Sequence, residues 1–334
     1  MKYNVSIIGA GSWGSAQSRI LADNGHNVLL FDVDLDTVLE INTKHTNISK
    51  LNDAKIPESV KATSSIEEAI NFSDIIVLVV PTAVMRKCLI SISEVIKSPK
   101  LFVNASKGIE PNTFKRVSEI VYEEIDIKYI KGFVALTGPS HAEEVILKLP
   151  TAICAASESL ENAQLIQKIY SNNSYFRVYT LLDLIGAELG GSLKNIIAIA
   201  SGMITGLGYG DNAKAALITR GLTEMIKIST ALGAKKETLY GLSGLGDLFV
   251  TTMSEHSRNF QAGKKIAQGK NLKQSLSEMT MVVEGARSAM AAYQLVKEKN
   301  IDAPIIEAIY DVLYNFKDPK IAMSDLMNRK LKAE

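Results

Sequence analysis

The sequence has few cysteines, no excess of charge of either sign and no unbroken apolar segment of membrane length. Its two cysteines, Cys88 and Cys154, stand among apolar residues without the spacing of a metal site, so we expect reduced structural thiols and no metal. Lysine and arginine total 37 against 36 aspartate and glutamate, a net charge of +1, which argues against a nucleic-acid-binding or membrane-binding surface. Gly, Lys or Asp interrupts the longest apolar stretches well before they could span a bilayer.

The length and composition are those of an ordinary globular chain. The 334 residues, of which 46% are hydrophobic, suffice for two domains of usual size with a large core. The first residues run directly into a predicted strand, without a charged leader followed by a cleavable apolar segment. From these features we expect a cytoplasmic protein that binds no nucleic acid and has no stable membrane insertion.

The clearest motif is a glycine-rich turn close to the N-terminus. An apolar strand pattern over Asn4–Ile8 leads into Gly9-Ala10-Gly11-Ser12-Trp13-Gly14, and a helical pattern follows from Ser15 to Asp23. The first glycine permits a tight turn, the second lets a pyrophosphate approach the backbone, and the third lets the helix lie close to the strand. The combination predicts the start of a dinucleotide-binding βαβ unit, with the helix N-terminus facing the phosphates.

An aspartate after the second predicted strand indicates where the adenosine end of the cofactor would lie. The strand covers Val28–Phe31, and Asp32 stands 18 residues after Gly14, where this motif places an acid for the ribose hydroxyls. The alternative is a solvated aspartate at a strand end. No Arg or Lys follows Asp32 until Lys44, so a ribose 2′-phosphate would face an acid without a nearby cation. The cofactor expected is NAD(P)H, with NAD favoured over NADP.

Further strands are predicted along the first half of the chain. Short apolar runs rich in β-branched residues indicate them at Asp74–Val80, Leu101–Asn104, Phe133–Leu136, Thr151–Ala155 and Tyr175–Tyr179. Ligands of open α/β sheets bind beyond the carboxyl ends of the strands, so the segments 105–109 and 137–142 are candidate site loops. His141 lies in the second loop, with a hydrogen-bonded structural role as the alternative. His26 is expected to be a surface or turn histidine without a partner.

The pattern changes near Asp183, after which only helical periods and glycine breaks remain. The segment Ile185–Thr205 is apolar on nearly every face, so a helix there must be buried as the axis of a second domain. Lys265–Met279 is the most polar segment and is expected to be exposed. The fold predicted is α/β Rossmann-type with a mainly parallel sheet, followed by an all-α C-terminal domain. We place the dinucleotide-binding domain at residues 1–184 and the helical substrate and catalytic domain at residues 185–334.

A lysine in the apolar helix is the strongest catalytic candidate. Lys194 lies in Gly190-Gly191-Ser192-Leu193-Lys194-Asn195. Reduction of a carbonyl by a nicotinamide requires a proton donor for the forming alkoxide, and a desolvated lysine with a lowered pKa can donate in one direction and accept in the other. Asn195 could orient the amine or bind a hydroxyl. The alternative is a lysine whose amine reaches solvent from a helix end.

Lys107 and a later polar cluster could supply the rest of the site. Lys107 follows a predicted strand and could polarise a carbonyl or bind hydroxyls or phosphate, with a solvated loop lysine as an equal alternative. The glycines before Asp247 fix its carboxylate, which suits sugar-like hydroxyls, and Arg258 is a bidentate phosphate ligand by geometry. Ser257 and Asn259 add neutral hydrogen bonds beside it. The pattern favours a small polyol phosphate, with a structural ion pair as the alternative.

Taken in this order, the segments resemble those of the bacterial-type NAD(P)-dependent glycerol-3-phosphate dehydrogenases over nearly the whole chain. Besides the glycine-rich turn, the matching segments are Asn24-Gly25-His26, Ser106-Lys107-Gly108, Gly138-Pro139-Ser140, Gly190-Gly191-Ser192-Leu193-Lys194-Asn195, Thr219-Arg220-Gly221-Leu222-Thr223-Glu224-Met225, Gly244-Leu245-Gly246-Asp247-Leu248, Ser257-Arg258-Asn259 and Val283-Glu284-Gly285. The resemblance implies reversible reduction of dihydroxyacetone phosphate to sn-glycerol 3-phosphate, which would supply phospholipid synthesis. The oligomeric state stays open, with a homodimer as one option.

The resemblance also implies roles for individual residues, with Lys194 as the proton donor and acceptor. Added to Gly9, Gly11, Gly14 and Asp32 of the nucleotide motif, the residues implied at the cofactor are Ser12, Trp13, Lys107, Ala142, Arg258, Val282 and Glu284. The residues implied at the substrate are Lys107, Gly138, Ser140, Lys194, Asp247, Ser257, Arg258 and Asn259. Glu284 could alternatively cap the helix that it opens. Val33 stands where the family usually has an arginine, and this departure again favours NAD over NADP.

Two other functions remain compatible with the sequence. A different two-domain dehydrogenase, acting on a hydroxy acid, would need an arginine for the substrate carboxylate in place of the Asp247 and Arg258 pair. A non-catalytic NAD-binding sensor would bind cofactor without oxidising it and would tolerate loss of Lys194. Turnover on dihydroxyacetone phosphate and on 2-keto acids distinguishes these alternatives.

Overall fold

A single sheet organises the first half of the protein. The computed structural model describes residues 1–110, 113–278 and 283–331. The strands in these ranges are β1 (Asn4–Ile8), β2 (Asn27–Phe31), β3 (Lys61–Thr63), β4 (Ile75–Leu78), β5 (Lys100–Asn104), β6 (Ile130–Thr137), β7 (Thr151–Ala156) and β8 (Phe176–Leu181). They form one eight-stranded sheet in the order β3-β2-β1-β4-β5-β6-β7-β8. Every neighbouring pair is parallel except β6 and β7.

Helices cover both faces of this sheet, so its central strands are apolar throughout. All residues of β4 are buried, which explains why its sequence does not alternate between apolar and polar residues. The helices of this half are α1 (Ser12–Asp23), α2 (Leu35–Lys44), α3 (Ile48–Leu51), α4 (Ile66–Phe72), α5 (Thr82–Ser93), α6 (Val117–Glu124), α7 (Ala142–Val145) and α8 (Leu160–Tyr170). Hydrophobic side chains on either side of the sheet form two separate clusters.

The turn between β1 and α1 depends on its glycines. Gly9 has φ +114°, a conformation that side chains other than glycine rarely adopt. A Cβ atom on Gly14 would lie 1.9 Å from the carbonyl oxygen of Gly9, so only glycine lets α1 start this close to the strand. The tight turn leaves the N-terminus of α1 at the carboxyl edge of the sheet.

The second half of the described chain is helical. Its helices are α9 (Leu184–Gly206), α10 (Asp211–Ala231), α11 (Lys236–Tyr240), α12 (Asp247–Met253), α13 (Arg258–Ala267), α14 (Leu272–Ser277), α15 (Glu284–Glu298), α16 (Pro304–Tyr314) and α17 (Pro319–Met327). A π-helical turn, Leu242–Gly246, joins α11 to α12. Nearly every residue of α9 is buried, because α10, α12, α13 and α15 pack around it. This burial explains the absence of a polar face in its sequence.

A buried carboxylate connects the two halves. Glu188 of α9 accepts hydrogen bonds from the Ser118 backbone N–H at 2.9 Å and from the Ser118 hydroxyl at 2.6 Å, both at the start of α6. Arg116 lies 3.0 Å away as its ion-pair partner. Burial raises the pKa of Glu188, against the opposing charge of Arg116. The contact fixes α9 against the sheet half, about 1.7 helical turns from Lys194.

The predicted fold class is confirmed: a mainly parallel Rossmann-type sheet precedes a helical region. The short strand β3 was missed. Of the expectation that His26 is a surface or turn histidine without a partner, the surface position and the missing partner are wrong. His26 is buried, and its ring contacts the Ile169 carbonyl at 3.2 Å. The polar segment from Lys265 is largely exposed where it is described, but it contains the end of α13 and all of α14. Within the described ranges, none of the helices combines the length and apolar character needed to cross a bilayer.

Candidate active site

A cavity of about 390 Å³ lies at the carboxyl ends of the parallel strands, where the sheet meets the helical half. The predicted residues that line it come from both halves: Gly11, Ser12, Trp13, Lys107, Ser140, Ala142, Lys194, Asp247, Ser257, Arg258, Asn259 and Glu284. The structure therefore brings most of the candidate cofactor and substrate residues around one space. This position is the one expected for a ligand of an open α/β sheet.

Lys194 is buried, with its amine held by α12. Only 5% of the surface of this residue is exposed. Its Nζ donates hydrogen bonds to Asp247 Oδ1 and to Thr251 Oγ1, each at 2.5 Å. Burial lowers the pKa of Lys194 to about 7, although the charge of Asp247 acts in the opposite direction. The alternative of an amine that reaches solvent is therefore wrong, and this amine can exchange a proton near neutral pH.

Asp247 lies between two lysines. Its Oδ2 accepts a hydrogen bond from Lys107 Nζ at 2.7 Å, while Oδ1 contacts Lys194. Burial alone would raise the pKa of Asp247, but the charges and hydrogen bonds of both amines hold it below its usual value. Lys107 Nζ also donates to the carbonyl oxygen of Gly138 at 2.9 Å, so the alternative of a solvated loop lysine is wrong. The ionised carboxylate thus fixes one amine from each half of the molecule.

The segment Ser257-Arg258-Asn259 forms the start of α13 at the cavity. Ser257 caps this helix, its Oγ accepting a hydrogen bond from the Phe260 backbone N–H at 3.3 Å. Burial lowers the pKa of Arg258, while the charges of Glu143 and Glu284 oppose the shift. A helix N-terminus beside a guanidinium offers N–H donors and positive charge to a phosphate group. The arrangement suits a phosphorylated ligand.

Two asparagine amides that line the cavity hold three helices together. Asn259 Nδ2 donates to Asn195 Oδ1 at 3.0 Å, and Asn259 Oδ1 accepts from the Gly285 backbone N–H at 2.9 Å. Asn195 lies one residue from Lys194 on α9. Because their amide groups already contact one another, both asparagines fit a role in orienting α9, α13 and α15 around the site.

Glu284 connects the start of α15 to the sheet half. Its carboxylate accepts hydrogen bonds from the Thr82 hydroxyl at 2.6 Å and from the Thr82 backbone N–H at 3.2 Å. Thr82 is the first residue of α5, so Glu284 caps that helix rather than its own. The contact places Glu284 beside the loop after β4, on the cofactor side of the cavity.

The N-terminus of α1 fits the pyrophosphate of a dinucleotide. The N-cap of this helix is Gly11, which has no side chain to cap it, and the first turn of the helix lines the cavity. A Cβ atom on Gly11 would have no atom within 4 Å, so open space adjoins the backbone where a phosphate would lie. Ser12 hydrogen-bonds through Oγ to the Lys50 carbonyl at 3.1 Å, and Trp13 and Ala142 line the same space. These residues fit the cofactor that the sequence motif predicts.

The remaining predicted residues support the site without lining this cavity. Asp32 Oδ2 accepts a hydrogen bond from the Ala10 backbone N–H at 2.8 Å, so the carboxylate lies beside the glycine turn. Gly9, Gly14 and Gly138 shape the backbone below the cavity. Val33 has 81% of its surface exposed. Val282 lies outside the described residues.

Sequence reasoning missed two residues that the fold brings to the cavity, Lys50 and Thr251, and it missed Thr82, which binds Glu284 at the start of α5. His141 lies at the cavity, in a loop that the sequence predicted as a site loop. Thr251 stands one helical turn after Asp247, and this i, i+4 spacing was a signal that could have been used. Lys50 lies far from Asp32 in sequence, yet its charge reaches Asp34. Lys50 is thus a cation near the end of β2 that chain order alone did not indicate.

Comparison with known proteins gives consistent matches over both halves. The family model described as NAD-dependent glycerol-3-phosphate dehydrogenase N-terminus matches residues 4–163, and the corresponding C-terminus model matches residues 183–324. A Staphylococcus aureus glycerol-3-phosphate dehydrogenase (NAD(P)+) is 48% identical over 330 residues, 99% of each chain. The crystal structure of glycerol-3-phosphate dehydrogenase from Coxiella burnetii has a TM-score of 0.93 and 33% identity, covering 98% of this chain and 99% of that one.

A eukaryotic structure shows the same fold at lower identity. Glycerol-3-phosphate dehydrogenase from Saccharomyces cerevisiae has a TM-score of 0.83 and 23% identity, covering 98% of this chain and 100% of that one.

Proposed function

The chain belongs to the NAD-dependent glycerol-3-phosphate dehydrogenase family, and we propose that it reversibly reduces dihydroxyacetone phosphate to sn-glycerol 3-phosphate. The observation that supports this most strongly is the buried Lys194 amine, held by Asp247 within a cavity that also contains Arg258. These residues provide a proton donor and a phosphate site in one space. The product would supply phospholipid synthesis.

The bound nicotinamide would supply or accept the hydride at C2 of the substrate. Arg258 and the N-terminus of α13, with Ser257 and Asn259, would bind the phosphate group. Lys194 would give its proton to the C2 oxygen as the ketone is reduced and take it back during oxidation. Lys107 would donate a hydrogen bond to the same oxygen or to the neighbouring hydroxyl of the substrate. Gly138 and Ser140 would shape the loop that contacts the substrate. Asp247 would keep both amines in position.

The proton-transfer role of Lys194 is tested by replacing it with alanine. We expect Lys194→Ala to lose about 100-fold to 10,000-fold in turnover, because general acid catalysis contributes that much. Cofactor affinity, measured by fluorescence titration with NADH, should be retained. Lys100 is a matched control: it is also a buried lysine, bonded to the Ser73 carbonyl away from the cavity. Wild-type turnover in Lys194→Ala, or an equal loss in Lys100→Ala, would refute the role.

Phosphate recognition by Arg258 makes a separate prediction. Arg258→Ala should raise KM for dihydroxyacetone phosphate about 10-fold to 100-fold, because it removes a hydrogen-bonding charge from the phosphate site. Arg177→Ala, at an exposed position on β8, should leave KM unchanged. Assays with 2-keto acids accompany these measurements, because preferred turnover of a keto acid would favour a hydroxy-acid dehydrogenase. An unchanged KM in Arg258→Ala would place the phosphate elsewhere.

We propose NAD(H) as the preferred cofactor, with NADP(H) also accepted. Asp32 at the end of β2 suits unmodified ribose hydroxyls, and Val33 offers no charge to a 2′-phosphate. Lys50, whose charge acts on Asp34 two residues after Asp32, supports residual use of NADP(H). Parallel measurements of kcat/KM with NADH and NADPH decide the preference.

The division of the chain is also part of the proposal. We assign residues 1–184 to a dinucleotide-binding domain and residues 185–334 to a helical substrate and catalytic domain. The support is that the sheet ends with β8 and the buried helix α9 follows within three residues. A cytoplasmic location and a homodimeric state complete the proposal, and sedimentation velocity of the full chain measures the latter.

A further inference from the structure

His141 is a cavity residue to which neither the sequence motifs nor the proposed mechanism gives a role. It precedes α7, and its backbone carbonyl accepts hydrogen bonds from Glu144 and Val145, which anchors the residue at the start of that helix. Its ring lines the cavity and lies 5.8 Å, centroid to centroid, from the ring of His256 across the opening. The side chain is thus held between the sheet half and the helical half.

One nitrogen of the ring is bound to α12. Nε2 lies 3.4 Å from the carbonyl oxygen of Val250. A carbonyl oxygen can only accept, so this contact places the proton on Nε2 and leaves a lone pair on Nδ1. Burial lowers the pKa of His141, and the charges of Lys194 and Lys107 lower it further, so the ring is neutral at physiological pH. A neutral ring in this tautomer is a hydrogen-bond acceptor.

Several other acceptors at this end of the cavity already have partners, while the carboxylate of Glu143, which also lines the cavity, acts through its charge on Arg258. Both oxygens of Asp247 contact lysine amines, and the Asn195 oxygen accepts from Asn259. Both oxygens of Glu284 accept from Thr82. Among the described residues, by contrast, His141 Nδ1 has no hydrogen-bond partner. The cavity is therefore rich in donors and cations but offers few free acceptors.

The substrate of the proposed reaction needs one such acceptor. Dihydroxyacetone phosphate carries a keto oxygen and a phosphate, which accept, and one free hydroxyl, which can donate. We propose that His141 determines specificity for this hydroxyl, its Nδ1 accepting a hydrogen bond from the free hydroxymethyl group of the substrate. The inference rests on the proposed function. It places the hydroxymethyl group beside α12, at the ring of His141.

The test compares two substrates that differ only in this hydroxyl: dihydroxyacetone phosphate and hydroxyacetone phosphate, in which a methyl group replaces the hydroxymethyl group. A site built to bind a substrate hydroxyl rejects the analogue that lacks it, so the wild type should prefer dihydroxyacetone phosphate by more than about 100-fold in kcat/KM. His141→Phe keeps the ring but removes the acceptor. We expect it to reduce this preference about 10-fold or more by lowering kcat/KM for dihydroxyacetone phosphate alone.

Three further variants distinguish a hydrogen-bond acceptor role of His141 from a packing role. His141→Asn places an amide oxygen near the position of Nδ1 and should restore much of the preference. His256→Phe keeps a ring at the exposed neighbour and should leave it unchanged. Glu143→Gln should also leave it unchanged, because the inference assigns the hydroxyl to His141. The inference would be overturned if the preference for dihydroxyacetone phosphate survived in His141→Phe. It would also be overturned if His141→Asn failed to restore the preference or if Glu143→Gln abolished it.

Failure of the proposed function gives a different result. In that case the wild type would not turn over dihydroxyacetone phosphate at a useful rate, and no preference could be measured. Turnover with an unchanged preference in His141→Phe rejects the inference about His141 while the proposed function stands.

Discussion

At the scale of single residues, the site depends on one carboxylate that holds two amines. Asp247 is fully buried, and a buried charge is tolerated only when it is paired and hydrogen-bonded. Its partners come from the sheet half, through Lys107, and from the helical half, through Lys194. The arrangement explains how a desolvated lysine can keep a proton near neutral pH, because burial removes the proton and the carboxylate favours it.

Lys50 gives a prediction about cofactor choice. Its side chain lines the cavity beside Gly11, and its charge reaches Asp34, two residues after the acid expected at the ribose. Lys50→Ala should raise KM for NADPH about 10-fold and KM for NADH less than about threefold, because only NADPH carries a 2′-phosphate. Lys44→Ala, at an exposed position on α2, is the control. An equal rise in KM for both cofactors would assign Lys50 to the pyrophosphate. An unchanged KM for both would show that Lys50 does not contact the cofactor.

Some site residues could be predicted from the sequence and others could not. Lys194, Asp247 and Arg258 lie in local patterns whose chemistry is unusual for a core or a loop, so residue type and neighbours sufficed to single them out. His141 lies in a loop that its position after a strand indicated, whereas Lys50 reaches the cavity only through tertiary packing. The segment of Lys50 is fixed by Asn47, whose Nδ2 donates to the Ala10 carbonyl at 2.7 Å, and no local pattern predicts that contact.

At the scale of elements, substitutions in the glycine turn distinguish its contribution to stability from its contribution to cofactor binding. Gly14→Ala puts a Cβ atom 1.9 Å from a backbone oxygen, so α1 must move away from β1. We expect a loss of about 2 kcal/mol or more in the free energy of unfolding, measured by urea denaturation, together with weaker cofactor binding. Gly11→Ala should instead preserve stability to within about 0.5 kcal/mol, because its Cβ would enter open space.

The same Gly11→Ala variant should still bind NADH more weakly, since its methyl group occupies the space expected for the pyrophosphate. Gly210→Ala is the control for both measurements, because its Cβ also meets nothing within 4 Å and it lies before α10. Unimpaired cofactor binding by Gly11→Ala would contradict the assignment of this turn to the phosphates.

The accuracy of the predicted element boundaries depended on the strength of the local sequence pattern. The prediction for β1 matches the structure because its apolar run ends abruptly at the first glycine. The helix of the glycine turn starts three residues earlier than its hydrophobic pattern indicated, at Ser12, because its first turn faces the cavity and carries no apolar requirement. The strand β3 has only three residues at the sheet edge, too few for an alternating pattern to appear.

At the scale of the whole molecule, function depends on a fixed position of the sheet half relative to the helical half. Glu188 and Arg116 connect α9 to the sheet half, and Glu284 connects α15 to α5. The cofactor would lie on one side of the cavity and the substrate phosphate on the other, so the reacting carbon would be presented between rigid elements.

The pH dependence of the reaction in both directions tests this account most directly. Ketone reduction requires protonated Lys194, whose pKa burial lowers to about 7, so kcat/KM for dihydroxyacetone phosphate should fall about tenfold per pH unit above that value. Oxidation of glycerol 3-phosphate requires the neutral amine, so its kcat/KM should fall in the same way below it. Asp247→Asn removes the charge that favours the proton, and both limbs should therefore move to lower pH. Profiles that show no limb near neutrality, or limbs that stay in place in Asp247→Asn, would contradict the assignment of Lys194 as the proton donor.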